Sequence, residues 1–385
     1  MSSTNFLNDI EILQSFLKEG AFIQVSEKQF LIALGPFKSY SSHQQAILDA
    51  GQSDNVVVYS PQFWNFLDTV NFENEYFVAK KSFFLTKQEF IQWLGLGINK
   101  IESDDLDKNV LNENKKTSFI AWQTPDPVDF KEQFNWSKNQ ILTKQILKTL
   151  PIAVQSGTGF VRPQIISIIN KLIQTISLNF SYGHWNQTTG LIGYTPEILA
   201  SWNIDKSELK TVALAGTWKK NSSRKMPDFS DAKIKAEHDF VISDIEKQLF
   251  EYKIISKSET YVAELPYLYH LKTEFSYECK NSEDYIKSIR CLHPTAALGI
   301  YPRDLNIMNE FSKINIQKNR QRFAAPFGFF NQTQGHVVAA IRNIIWSDDQ
   351  VQLFAGCGVT SDSVFFDEWQ EILAKQDSVK KMLGL

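Results

Sequence analysis

Residues 336–375 read HVVAAIRNIIWSDDQVQLFAGCGVTSDSVFFDEWQEILAK, a stretch that sets an arginine, a glycine pair and three charged residues on consecutive elements. His336 to Ile345 reads as one mostly buried strand, Val351 to Phe354 as a second, and Ser347-Asp348-Asp349 as the turn between them. Arg342 is therefore expected inside an apolar strand, where its charge needs an anion and its planar fork suits a carboxylate. Ala355-Gly356-Cys357-Gly358 follows directly. Glycine there lets the backbone approach a ligand closely and turn N–H groups toward negative charge. From about Phe366 to Leu383 the spacing predicts a helix with Glu368, Glu371, Ile372, Lys375, Val379 and Met382 near one face. Two glutamates and a lysine thus share the side that buries Val379 and Met382.

Taken one at a time, these features are ordinary. A buried arginine is commonly half of an internal ion pair. A lone GxG is a weak signal, and glutamates at i, i+3 usually mark a solvated face; their coincidence with the apolar side is what raises a cation site. The whole string is more specific. AIR, then AGCGV, then EWQE and Lys375 resembles the closing signature of the chorismate-utilising enzymes, which comprise isochorismate, salicylate, anthranilate and aminodeoxychorismate synthases.

Composition bounds every reading. The 385 residues are 43% hydrophobic and 13% aromatic, enough for a large core in one or two domains. Net charge is −3 with no basic block, which argues against a nucleic-acid partner. MSSTNFLNDIEILQSFL carries no basic leader before an apolar run, and no stretch approaches a membrane span, so no membrane association and a cytoplasmic location are expected. Cys279, Cys291 and Cys357 are isolated and fit reduced core thiols.

In chain order, residues 5–17 read as a helix, Phe22–Val25 and Phe30–Leu34 as strands about a Glu27-Lys28 turn, and Asn55–Tyr59 as another strand. The aromatic region from Trp64 to Phe90 is scaffold. Residues 101–117 are polar and read as a surface loop or a seam. Residues 1–117 are expected to form the N-terminal part of the sheet scaffold and 118–385 the catalytic region, in one integrated unit. Strand runs with long helices at roughly 161–178, 230–252 and 366–383 favour an α+β architecture. The resemblance implies the same class: two large stacked antiparallel sheets, helices outside, ligand between.

Further motifs extend the likeness over roughly residues 140–380. GLIGYTPEILASW resembles GxSPExLL and singles out Glu197; alone, an acid after proline is commonly a first-turn helix residue. TVALAGT resembles PLAGT and singles out Gly216 and Thr217. Ala215 stands where aminodeoxychorismate synthases carry a nucleophilic lysine, which argues against that branch. KIKAEHDFVISDI resembles KDRxEHxLVVDDI, with Glu237 spaced among apolar residues. YLYHLKT matches an HLxT strand and marks His270. CLHPTAALGIYPR resembles LHPTxAVGGxP and puts Ala297 and Leu298 at the pocket. RQRFAAPFG resembles RGxYAGPVG, with Phe323 where tyrosine is usual. ILTKQILKTLPIA is a weak match whose offset from Glu197 marks Lys148. Local sequence equally allows Lys144 and Lys148 to flank an exposed helix ending before Pro151.

These matches imply a division of labour. Glu237 and Glu371, with Glu368 nearby, would hold Mg²⁺, whose preference for few hard oxygen ligands suits them. Chorismate, a dicarboxylate, would have one carboxylate on the metal and the other on Arg342 and the N–H groups about Gly356 and Gly358. Gly216, Thr217, His270, Ala297, Leu298, Phe323 and Lys375 would line the pocket. Isochorismate formation adds water at C2 as the C4 hydroxyl leaves, so it needs a base, Lys148, opposite an acid, Glu197. Burial moves a lysine and a glutamate in the directions those roles require. The expected activity is Mg²⁺-dependent isochorismate synthesis without an obligatory protein partner. Salicylate synthase is the nearest alternative. Anthranilate synthesis fits less well, since it has no need of a lysine base, and a chorismate binder without turnover has no use for a buried acid opposite a metal.

Overall fold

Successive strand residues bury into different cores, which is why their sequences read as unbroken apolar runs. Phe22 and Ile32 pack under helices, whereas Ala21, Ile23, Leu31 and Ala33 face the opposite sheet. The computed structural model describes residues 10–52, 55–67, 74–101, 119–175, 179–219, 232–264 and 268–385. The 101–117 seam and the 1–117 boundary fall almost wholly outside them.

The strands are β1 (Gly20–Ser26), β2 (Gln29–Leu34), β3 (Lys38–Tyr40), β4 (Val57–Tyr59), β5 (Tyr76–Val78), β6 (Lys81–Thr86), β7 (Ala121–Trp122), β8 (Ile152–Thr158), β9 (Phe180–Trp185) and β10 (Thr189–Thr195). Then come β11 (Ile198–Asn203), β12 (Glu208–Lys219), β13 (Ile254–Lys257), β14 (Tyr261–Glu264), β15 (Leu268–Glu278), β16 (Pro326–Phe330), β17 (Gln334–Ala339), β18 (Asn343–Ser347) and β19 (Gln350–Gly356). Among the described residues, one sheet runs β6-β2-β1-β9-β10-β18-β19-β8-β7 and the other β13-β15-β12-β11-β17-β16-β4-β5-β3, with β14 also on β15. N-terminal strands therefore widen both sheets.

The inward faces share a core of Ile23, Val58, Leu191, Phe327, Val338 and Phe354. Outside the first sheet pack α1 (Ile10–Lys18), α3 (Lys87–Ile101), α5 (Pro163–Gln174) and the last helix, α10 (Phe365–Leu383). Outside the second lie α2 (His43–Gln52), α6 (Ala232–Gln248) and α7 (Ser282–Leu292). One end is closed by α4 (Val128–Leu142), α8 (Leu305–Ser312) and α10 around Phe134, Phe311 and Ile372, with the short α9 (Asn315–Lys318) following α8. Helix α10 stops where Gly384 takes φ 81°, the left-handed cap that glycine adopts freely.

Two expectations are corrected. His336–Ile345 is not one strand: β17 ends at Ala339 in one sheet and β18 starts at Asn343 in the other. Both sheets bury both faces, so hydrophobicity runs straight through the switch and hides it. Arg342 is a corner residue with φ 53°. Lys144 and Lys148 do not share a helix, because α4 ends at Leu142 and Lys144 is an exposed residue at φ 59°. Lys148 instead lies in extended backbone bridged to Tyr301.

Candidate active site

Two chain crossings between the sheets run side by side and bring Glu197 and Arg342 near each other. β10 pairs with β18 in one sheet, β11 with β17 in the other, so the links Pro196-Glu197 and Ala340-Ile341-Arg342 turn together. Pairing persists around the bend: the Ala339 N–H donates to Glu197 O at 3.0 Å and the Tyr194 N–H to Arg342 O at 3.3 Å. Glu197 is thus a strand-to-strand corner and not a helix start, with its N–H donating to Thr195 Oγ1 at 3.1 Å. The Arg342 guanidinium lies 5.7 Å from the Tyr194 ring centre.

Burial pushes the Glu197 carboxyl up to about 7, against the opposing pull of Lys148 and Arg342. Both cations are therefore within electrostatic reach of Glu197. Lys148 is 3% exposed. It exchanges both backbone hydrogen bonds with Tyr301, at 3.0 and 2.9 Å, while Thr149 does the same with Val359 at 3.1 and 2.9 Å. The base candidate is held between two segments.

Gly358 serves that lysine. A Cβ there would sit 2.7 Å from Lys148 Cε, 3.4 Å from its Nζ and 3.6 Å from Glu237 Oε1. Neither Gly356 nor Gly358 has a positive φ, so it is their small size that the fold uses. Gly356 O accepts from Lys375 Nζ at 2.8 Å. Gly216 does need its freedom: at φ 74° it forms a bulge opposite β15, and a Cβ would meet Ile234 of α6 at 2.6 Å. Thr217 pairs with His270 across that bulge. Burial drives His270 down to about 3, helped by the positive charges of Arg342 and Lys375 and opposed by Glu371, so the ring is neutral.

The loop carrying Ala297 and Leu298 has a support that the sequence pattern did not reveal. Asp244 of α6 accepts from the Ala296 N–H at 2.8 Å and from Arg303 Nη2 at 2.8 Å. The available signal was its spacing, two turns beyond Glu237 on the same helix face. Phe323 stacks on Phe354 at 5.5 Å within the inter-sheet core.

The acidic residues are arranged less tightly than the resemblance implies. Glu368 is 5% exposed. Glu371 forms a 2.7 Å ion pair with Lys375, each side chain 39% exposed, and Glu237 is half-buried beside Gly358. Among the described residues no three acidic, histidine or cysteine side chains converge as a ligand cluster. Burial, then the charges of Glu368 and Glu371 against the opposing pull of Lys375, push the Cys357 thiol well above its usual range, which places both carboxylates within electrostatic reach of it. One or two carboxylates there, with water and substrate completing the shell, suit Mg²⁺.

A family profile described as "Chorismate binding enzyme" matches residues 66–384. The chain belongs to the chorismate-binding enzyme family. Among its relatives, isochorismate synthase MenF of Bacillus subtilis (strain 168) is 26% identical over 67% of this chain and 56% of its own length. Isochorismate synthase EntC of Escherichia coli (strain K12) is 25% identical over 64% of this chain and 62% of its own. The matches thus span little more than half the length of these curated relatives. In structure, the menaquinone-specific isochorismate synthase MenF of Escherichia coli superposes with a TM-score of 0.72 at 17% identity, covering 100% of this chain and 91% of that one. The two chains therefore share one fold along the whole of this chain. No helix among the described residues is long and apolar enough to cross a membrane.

Proposed function

We propose that this family member is an isochorismate synthase, in which Lys148 activates a water for addition at C2 of chorismate and Glu197 protonates the departing C4 hydroxyl. The observation that carries the reading is the buried Glu197 carboxyl near 7, flanked by Lys148 and Arg342. A carboxyl at that value carries a proton to give at neutral pH, and proton transfers of this kind contribute roughly 10²- to 10⁴-fold each. The reaction balances without a redox partner: one water enters and one hydroxyl leaves as water.

Arg342 holds one substrate carboxylate, and the neutral His270, Gly216, Thr217 and the Ala297–Leu298 backbone line the pocket, with Phe323 stacked behind it. Glu237 and Glu371, with Glu368 behind, would hold Mg²⁺. When bound, the ion neutralises this acidic wall and lets a dicarboxylate approach it. Lys375 sits on Glu371 and Gly356 O, bracing the helix that carries both α10 glutamates.

The test is incubation of purified protein with chorismate and Mg²⁺, with chromatographic separation of products. Isochorismate is expected. Salicylate with pyruvate would assign the salicylate synthase reaction, and unchanged chorismate bound to protein would leave a binder.

A further inference from the structure

Arg342 is a non-glycine residue at φ 53°, a conformation that crowds Cβ against its own backbone and persists only where neighbours impose it. The peptide groups on both sides of its Cα are tied. On the far side, Arg342 O accepts from the Tyr194 N–H at 3.3 Å. On the near side, the Tyr182 hydroxyl donates to Ile341 O at 2.7 Å and accepts from Asn343 Nδ2 at 3.0 Å. The same Asn343 amide donates to Ala340 O at 2.7 Å. Both carbonyls preceding Arg342 are thus held by two side chains that are fully buried.

The arrangement depends on a gap. Tyr182 pairs with Gly193 on one strand and Gly193 with Asn343 on the next, so the three side-chain positions lie in one row across the sheet. A Cβ at Gly193 would meet Asn343 Cβ at 2.6 Å and Arg342 O at 2.7 Å. Its absence lets the Tyr182 hydroxyl reach across. Asn343 Oδ1 is buried with no hydrogen-bond partner, so the amide is kept for its donors despite leaving an acceptor unsatisfied.

We infer that Tyr182 and Asn343 are a positioning pair whose role is to fix the left-handed corner at Arg342 and so aim its guanidinium at the substrate carboxylate. This rests on the reading of Arg342 as the carboxylate anchor. Neither residue touches the substrate; both act through Arg342.

A double-mutant cycle tests it. Chorismate binding is measured by calorimetry in a Glu197→Gln background, so that bound substrate is not consumed, with Tyr182→Phe and Arg342→Ala alone and combined. Tyr182→Phe is expected to weaken binding on the order of tenfold, because Ile341 O loses its donor. The double variant is expected to bind no more weakly than Arg342→Ala alone, since a residue acting only through Arg342 has nothing left to position. Asn343→Leu repeats the cycle from the other partner, and thermal melts confirm folding. Additive losses, or full affinity in both Tyr182→Phe and Asn343→Leu while Arg342→Ala is impaired, would overturn the positioning pair alone. Full affinity in Arg342→Ala would overturn the anchor reading and the pair together.

Discussion

Lys148 Cε occupies the space where a side chain at Gly358 would begin, 2.7 Å from the ideal Cβ. The contact is with the far end of a flexible chain, so Gly358→Ala should cost little stability while displacing the amine. Turnover is predicted to fall on the order of tenfold or more, because small misplacements of reacting groups are expensive. Steady-state kinetics alongside a thermal melt checks this. Unchanged turnover would mean the amine is not part of the chemistry.

Glu197 supplies a pH signature. Its folded value near 7 lies above the ordinary 4.5, so the folded state binds this proton more tightly than the unfolded chain does. The associated stabilisation is complete below about 4.5 and lost as pH rises through about 7. Glu197→Gln, which cannot ionise, should therefore gain on wild type as pH rises from about 4.5 to about 7 and keep that gain above it, on the order of 3 kcal/mol. Wild-type turnover should decline over the same rise, as the acid form is depleted. Denaturant melts and kcat across pH 5 to 9 read both, and parallel stability curves for the two proteins would contradict the shifted carboxyl.

Metal dependence is the prediction that tests the proposed Mg²⁺ role of Glu237, Glu371 and Glu368. Chelation with EDTA should abolish turnover and Mg²⁺ restore it, and Glu237→Gln and Glu371→Gln should each raise the Mg²⁺ concentration needed for half activity. Full activity after exhaustive chelation would remove the ion from the account.

Residue types and their spacing made much of this site legible in the sequence, but the places where the chain changes sheet were not. AGCGV, EHDFVISDI and CLHPTAALGIYPR carry the family likeness as short strings, and α6 and α10 lie close to where periodicity puts them, whereas α7 and α8 on either side of the last string were not read. Arg342 and Glu197 were both picked out, but Arg342 was placed inside a strand, since a corner between two doubly buried sheets leaves the apolar pattern unbroken. Helix α4 was missed because its buried face includes Gln133 and Ser137 beside Phe130, Phe134 and Ile141. Gln133 spends its amide on Ile152 N and O, a long-range pairing that no local pattern announces. The separation of Lys144 from Lys148 likewise depends on Tyr301, far along the chain.

The most direct test of the account is the behaviour of Lys148→Ala with Lys144→Ala as control. If Lys148 is the base, its alanine variant should still bind chorismate but form isochorismate roughly 10²-fold more slowly or worse. Lys144→Ala, altering an exposed turn residue, should match wild type. Wild-type turnover in Lys148→Ala would contradict the assignment of the base and, with it, the proposed mechanism.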